Sequence, residues 1–387
     1  MKRFEKPILV TRPYLPPLEE FKRGLEDVWS NQWLTNNGPM LQRFQKELSQ
    51  YIGVPETNLA LFNNGTLALE LGYYAMGLSG GDVITTPFTF VATSHALKRI
   101  GANPVFADID PETMCLSPEA AEKLITPRTK AIVPVHVYGN VCDVEGFERL
   151  GEKYGVKIIY DAAHAFGVFN HGTLGNHGKE ISHVERVDRV EKKSIGCCGD
   201  MSMFSFHPTK LFHSCEGGLL VFKDAAIQEK LFELRNFAIH GELDCTDVGS
   251  NAKMNELQAL MGLECLKKID DLLDWRQKVF ETYKAAFDGC DGIKVIDKSR
   301  NKAYVPVLFK DFATRERVYS ELKETCNVYS RRYFYPLLTD FAPYVYAKGT
   351  CPIAEDLASR VLTLPIYYGL PLEDVRLVAE NVREIVG

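Results

Sequence analysis

The sequence predicts an α/β protein: a mostly parallel central sheet flanked by helices, followed by a smaller C-terminal α+β domain. Three observations predict it. Between about residues 59 and 222, short apolar runs alternate with segments of helical period, as βαβ units require. After Phe222 that alternation gives way to a long helical pattern, then a strand and further helices. The 387 residues are 45% apolar, 11% aromatic and 25% charged, an ordinary globular composition at a length for two or three domains.

Taken in order, the predicted strands are Leu59–Asn63, Asp82–Thr86, Pro104–Ile109, Ala131–Val137, Lys157–Asp161, Met201–Phe206 and Gly218–Phe222. Helical period lies between most of them, over Leu67–Met76, Thr93–Ile100, Pro118–Ile125 and Val144–Tyr154. Ser117-Pro118-Glu119 has a cap, a proline at the first helical position and then an acid, a strong helix start. Beyond the sheet region, one long helix is expected from about Asn255 to Ala286. A strand near Ala303–Phe309 and helices over Thr314–Glu324, Pro352–Val361 and Leu372–Ile385 follow. The division expected is a large domain over 1–250 and a small one over 251–387. The segment 171–193 is polar, glycine-punctuated and charged, and reads as a surface insertion.

Forty-five basic against 51 acidic residues leave a net charge of −6, with no basic stripe to hold a nucleic acid. No apolar run approaches the roughly 20 residues that span a bilayer, and no apolar segment follows the basic opening Met1-Lys2-Arg3. Ten cysteines without regular spacing suit a reducing compartment. A cytoplasmic protein, with no nucleic-acid or membrane partner, is therefore expected. His171, His177 and His183 are evenly spaced, but that spacing does not share a helix face and no HExxH or cysteine pair accompanies them. No metal site is expected.

Three elements carry candidate chemistry. Asp161 ends an apolar strand, where open α/β sheets keep their ligands; it reads equally as a helix cap. Asn64-Gly65-Thr66 joins a strand to a helix, so its free N–H groups and the helix dipole can hold an anion, or Asn64 can simply cap the helix. Lys210 lies just past a strand end, among aromatics, where a desolvated amine can act as a nucleophile; alone, an exposed structural lysine is the more ordinary reading. A phosphate-binding helix start, a strand-end carboxylate and a lysine past a later strand are together what pyridoxal phosphate needs.

On the stretches WLTNNGP, NNGTLALEL, GGDVITTPFTFVATSHAL, ITPRTKAIVPVHVYGN, YDAAHAFG, GDMSMFSFHPTK, CEGG, LRNF and MNELQA, the chain resembles the fold-type I, pyridoxal-phosphate-dependent nucleotide-sugar aminotransferases (the DegT/StrS-type family) over nearly its full length. The resemblance implies the aspartate-aminotransferase-like fold and a role for each matching residue. Lys210 would bond the cofactor and Asp161 would pair with its pyridine nitrogen. Phe90 would lie against the ring, with His164 nearby. Gly65, Thr66 and Ser205 would hold the phosphate, and Asn251 would reach it from the neighbouring subunit of a homodimer with shared active sites. Around Asn251 the chain departs from the family's usual aromatic neighbours, having Ser250 and Ala252.

The resemblance further implies L-glutamate as amino donor and a keto-sugar nucleotide as acceptor. The stretch SRRYFYPLL is most like that of enzymes making dTDP-4-amino-4,6-dideoxyglucose (viosamine). It makes Arg331, Arg332 and Tyr333 candidate substrate contacts; a surface strand with a basic pair is the plain alternative. A 3-amination of the sugar is the nearest competing activity. Sugar dehydratases of the same fold carry histidine where this chain has Lys210. A nicotinamide oxidoreductase would need a GxGxxG after the first strand, which is missing. A non-catalytic cofactor-binding regulator would lack a catalytic element, and none is lacking.

Overall fold

The computed structural model describes residues 1–171 and 192–387. Ahead of the sheet lie α1 (Leu18–Asn31) and α2 (Pro39–Ile52). Proline opens α2 and Gly53 closes it at a φ of 83°, a left-handed stop that glycine adopts without a Cβ clash. Strand and helix then alternate through β1 (Leu59–Phe62), α3 (Gly65–Ala75), β2 (Asp82–Thr85), α4 (Val91–Arg99), β3 (Asn103–Phe106), α5 (Pro118–Glu122), β4 (Thr129–Ile132), α6 (Val144–Tyr154) and β5 (Lys157–Asp161). Next, β6 (Phe169–His171) and β7 (Lys192–Ser194) pair antiparallel. Apart from these ends, the expected insertion at 171–193 lies outside the described residues, as do His177 and His183. Then come β8 (Met201–Ser205), β9 (Gly218–Phe222), α7 (Ile227–Leu234) and the small pair β10 (Ile239–His240) and β11 (Asp244–Cys245).

Strand order in the main sheet is β1-β9-β8-β5-β4-β2-β3. Its pairs are parallel except those of β9, which runs against both β8 and β1. Successive strand residues face opposite sides, so the sheet divides the core in two. Leu59, Leu61, Ile158, Tyr160 and Leu219 join the side of α2 and α6. Ala60, Phe62, Ile159, Met201 and Leu220 join the side of α3 and α7. The architecture is the α/β one expected.

The C-terminal third differs in detail. The expected single helix from Asn255 is two, α8 (Glu256–Leu266) and α9 (Ile269–Phe287). Every residue of α8 but Leu257 and Gln258 is buried, whereas α9 is buried along one stripe. The helix breaks at the exposed pair Lys267-Lys268, and Asp270 and Asp271 then suit the new positive helix end. β12 (Ile293–Val295), β13 (Val305–Phe309) and β14 (Val361–Leu364) form a second, antiparallel sheet. α10 (Phe312–Glu324) and α12 (Leu372–Val386) pack with α9 around it. α11 (Pro352–Arg360) runs into β14 with no turn between them, which is why the pattern at 352–361 reads as helix alone. Pro134 similarly ends the run expected to reach Val137: β4 stops at Ile132, and Pro134 contributes only its carbonyl, to Asp161 N–H.

Candidate active site

Asp161 closes β5 beside β8, in register with Met203, and is 4% exposed. Its Oδ2 accepts from Thr93 Oγ1 at 2.7 Å and its Oδ1 from Ala163 N–H at 3.1 Å. Thr93 is itself 2.9 Å from the hydroxyl of Thr89. Burial nevertheless holds the Asp161 carboxyl above the usual carboxylate range, against the pull of Thr93, Ala163 and the Lys210 ammonium. A buried carboxylate with two neutral donors is under-compensated. It is a place for a cation.

Asn64 caps α3 by accepting from Leu67 N–H at 2.8 Å, so the helix opens on Gly65 and Thr66. Gly65 is buried against β8: a Cβ there would stand 3.2 Å from both Ser205 Cβ and Met203 Sδ. The glycine lets the helix start and Ser205 converge. Gly218 holds the other flank, where a Cβ would come within 2.4 Å of Asn64 O. N–H groups at a helix start, the half-buried Ser205 hydroxyl and the exposed Thr66 side chain suit a phosphate.

Lys210 follows β8, its N–H closing a turn onto His207 O. Its Nζ is half-buried, 3.5 Å from the Tyr304 hydroxyl. Behind it stands an aromatic wall. His164 packs 4.6 Å from Tyr304, 6.0 Å from Tyr333 and 6.0 Å from Phe334, ring centre to ring centre. Tyr138 N–H donates to His164 Nδ1 at 3.0 Å, so the neutral ring carries its proton on Nε2. Burial and then the Lys210 charge hold His164 well below the ordinary histidine range, and it stays neutral. Asn301 donates to the carbonyls of His164 and Phe166, both at 2.9 Å, tying this loop to the segment that carries Tyr304. Phe90, at the start of α4 and one turn before Thr93, is 52% exposed.

The structure separates the expected arginine pair. Arg331 is exposed, its guanidinium 5.3 Å from the centre of the Tyr333 ring, and it bears on Tyr304 and His207 as well. Arg332, by contrast, is closed bidentately on Glu316 and lies 3.6 Å over the Tyr319 ring. The two arginines of the expected substrate pair thus have different neighbours, Tyr333 for Arg331 and Glu316 with Tyr319 for Arg332. Asn251 is exposed, and its carbonyl oxygen accepts from Lys253 at 2.9 Å. Among the described residues no group of three or more His, Cys, Asp or Glu side chains could hold a metal, and no helix is long and apolar enough to cross a membrane.

Sequence reasoning missed Thr93, Tyr304, Tyr138 and Asn301. Thr93 had a signal, sitting in the TFVATSH stretch ahead of a helix. Tyr304 and Asn301 precede an ordinary apolar strand, and only the fold brings them to Lys210 and His164.

These residues fit pyridoxal phosphate. The under-compensated Asp161 suits a protonated ring nitrogen, the glycine-backed helix start suits the phosphate, and Lys210 suits the aldehyde.

A model of the DegT/DnrJ/EryC1/StrS aminotransferase family matches residues 18–383. A Shigella dysenteriae protein named dTDP-4-amino-4,6-dideoxy-D-glucose transaminase is 41% identical, over 98% of this chain and 100% of its own length. An Escherichia coli protein of the same name is 38% identical, over 96% of each. The crystal structure of DesI in the presence of its TDP-sugar product superposes with a TM-score of 0.87 at 33% identity, covering 100% of this chain and 94% of that one.

Proposed function

Because the chain belongs to the DegT/DnrJ/EryC1/StrS aminotransferase family, we propose that it moves an amino group from L-glutamate to dTDP-4-keto-6-deoxyglucose, giving dTDP-4-amino-4,6-dideoxyglucose. It is a sugar aminotransferase, and pyridoxal 5'-phosphate is its cofactor. The observation that carries the substrate assignment is the 41% identity over full length to a transaminase named for that product.

When bound, the cofactor withdraws electrons from the carbon that exchanges its proton. The chain's own residues do the rest. Lys210 would supply the amine for the cofactor's aldehyde and carry the proton between the reacting carbons. Asp161 would keep the ring nitrogen protonated. Gly65, Thr66 and Ser205 would hold the phosphate, with Phe90 and His164 beside the ring. Neutral His164 would lie there without adding a charge that would compete with the ring nitrogen for Asp161. Arg331, exposed beside Tyr333, is the cation available to the diphosphate of an incoming nucleotide sugar.

The same reading includes a homodimer. Phe237, Ile239, Leu243 and Val248 are exposed, Leu243 at 99%, on the surface next to Asn251. A second copy would cover this apolar group and bring Asn251 to the neighbour's phosphate. Cytoplasmic residence fits the free cysteines, none of which is disulfide-bonded among the described residues.

The test is incubation with glutamate and a set of keto-sugar nucleotides, with NMR of the products. Amination at C4 of the dTDP sugar is expected. Amination at C3, or of a GDP sugar alone, would overturn the substrate assignment and leave the family untouched.

A further inference from the structure

The aromatic wall contains one group placed to act on Lys210 itself. Tyr304 Oη is the side-chain partner that the structure gives Lys210 Nζ, at 3.5 Å. Its ring is fixed on three sides, 4.6 Å from the His164 ring and 5.7 Å from those of Tyr138 and Tyr333. From behind, the buried Arg276 holds the carbonyl of Ala303 at 2.8 Å, immediately before Tyr304 in the chain. The hydroxyl is therefore not free to swing away from the lysine.

Toward the site mouth, the Tyr304 ring lies 5.7 Å from that of Tyr333, over which the Arg331 guanidinium stands at 5.3 Å. Burial pushes the Tyr304 phenol up to about 12, with Arg276 and Arg331 opposing, so it remains protonated. A neutral phenol both donates and accepts. It accepts from Lys210 as ammonium and donates to Lys210 as amine, so the contact survives both states of a group that must alternate between them.

We propose that Tyr304 is a positioning residue: its hydroxyl, on a ring held by His164, Tyr138 and Tyr333, holds the Lys210 amine in the orientation from which it attacks a carbonyl carbon and exchanges a proton. The inference rests on the aminotransferase reading and adds to it a residue acting on the lysine rather than on cofactor or substrate.

Tyr304→Phe keeps the ring and removes only the hydroxyl. The test uses cofactor-free protein and two probes. Pyridoxal phosphate condenses with Lys210, the amine adding to the aldehyde carbon and one water leaving, and the rate is read by visible absorbance. Pyridoxamine phosphate has no carbonyl and reports binding to the same pocket without the lysine bond. Tyr304→Phe should slow condensation about tenfold, the worth of one net hydrogen bond, with pyridoxamine phosphate affinity kept within about twofold. In turnover, kcat should fall while both KM values hold. Condensation at the wild-type rate in Tyr304→Phe would overturn the proposal, and so would equal losses for the two probes, since Tyr304 would then be part of the pocket wall only. Failure of the wild-type protein to condense at all would instead sink the aminotransferase reading beneath it.

Discussion

Thr93 Oγ1 donates to Asp161 Oδ2 at 2.7 Å, joining the first turn of α4 to the end of β5. Burial is what raises the Asp161 carboxyl, and this bond is the largest influence holding it down. Thr93→Val keeps the shape and removes the donor, so the carboxyl should rise further. Ionised Asp161 is what a ring cation pairs with, so activity should be lost from the acid side earlier. The expected result is an acid limb of kcat/KM moved to higher pH, with about a tenfold loss near neutrality, a charged hydrogen bond being worth about 1.5–3 kcal/mol. An unmoved limb would mean that Thr93 only packs.

Lys210→Ala should abolish turnover, because the amine and the proton carrier leave together. Lys210→Arg should do no better, since a guanidinium stays protonated and forms no imine. Product formation by HPLC distinguishes these from slow variants; near wild-type transamination by either would remove Lys210 from the chemistry.

The two adjacent arginines should behave oppositely. Arg331→Ala is expected to raise KM for the nucleotide sugar about tenfold or more while leaving KM for glutamate unchanged, the diphosphate having lost its cation. Arg332→Ala breaks the bidentate pair with Glu316 on the far side. It should cost about 1 kcal/mol of stability or less, since the pair is partly solvated, and leave both KM values alone. Steady-state kinetics with each substrate varied separately, and a thermal melt, check both halves.

The α/β architecture was legible, and Gly65, Asp161 and Lys210 could be singled out as candidates, because each rests on local pattern. A strand end, a helix start and the residue just past a strand are recognisable from a few neighbours. The wall around Lys210 was not. Tyr304 belongs to the segment before β13 and Tyr333 to an irregular one, and they meet at His164 only through tertiary packing. The Arg331 and Arg332 pair shows the same limit. Sequence can mark a basic dipeptide, but which member faces the site depends on backbone direction and on the position of Glu316, sixteen residues away in the chain. The division of α8 from α9 was hidden because apolar period continues through Lys267-Lys268 while the buried face changes.

Gly65→Ala tests the phosphate cradle separately from the chemistry. The added methyl would meet Ser205 Cβ and Met203 Sδ at 3.2 Å, tighter than ordinary contact, and would occupy the approach to the helix start. At a helical position alanine is otherwise the better residue by roughly 0.5–1 kcal/mol, so the fold should survive. The expected outcome is a soluble protein with an unchanged far-ultraviolet spectrum whose pyridoxal phosphate affinity falls at least about tenfold, the loss of one or two charge-assisted bonds. Full affinity would place the phosphate elsewhere.

His136 predicts how the cofactor-free fold answers to acid. Its ring is fully buried, stacks 4.7 Å from the Tyr160 ring, and accepts at Nδ1 from Cys142 N–H at 3.1 Å. Burial pushes it down to about 3. His164 is lowered well below its ordinary value by the same cause. An unfolded histidine takes up its proton near 6.5. Between about 6.5 and 3 the unfolded chain therefore binds a proton at His136 that the native one refuses. Stability from this group is fully present above about 6.5 and is lost as pH falls, by about 1.4 kcal/mol per pH unit. Asp161 acts with the opposite sign: its raised carboxyl lets the native state hold a proton longer, so it offsets part of the loss just above the ordinary carboxylate range. Urea unfolding of the cofactor-free protein at pH 7, 6 and 5 should show stability falling with acid. In His136→Asn, whose Oδ1 sits where Nδ1 does and can accept from Cys142 but binds no proton, the fall should be shallower by close to one proton's slope. An identical slope in the two proteins would show that His136 is not a group whose protonation resists acid unfolding.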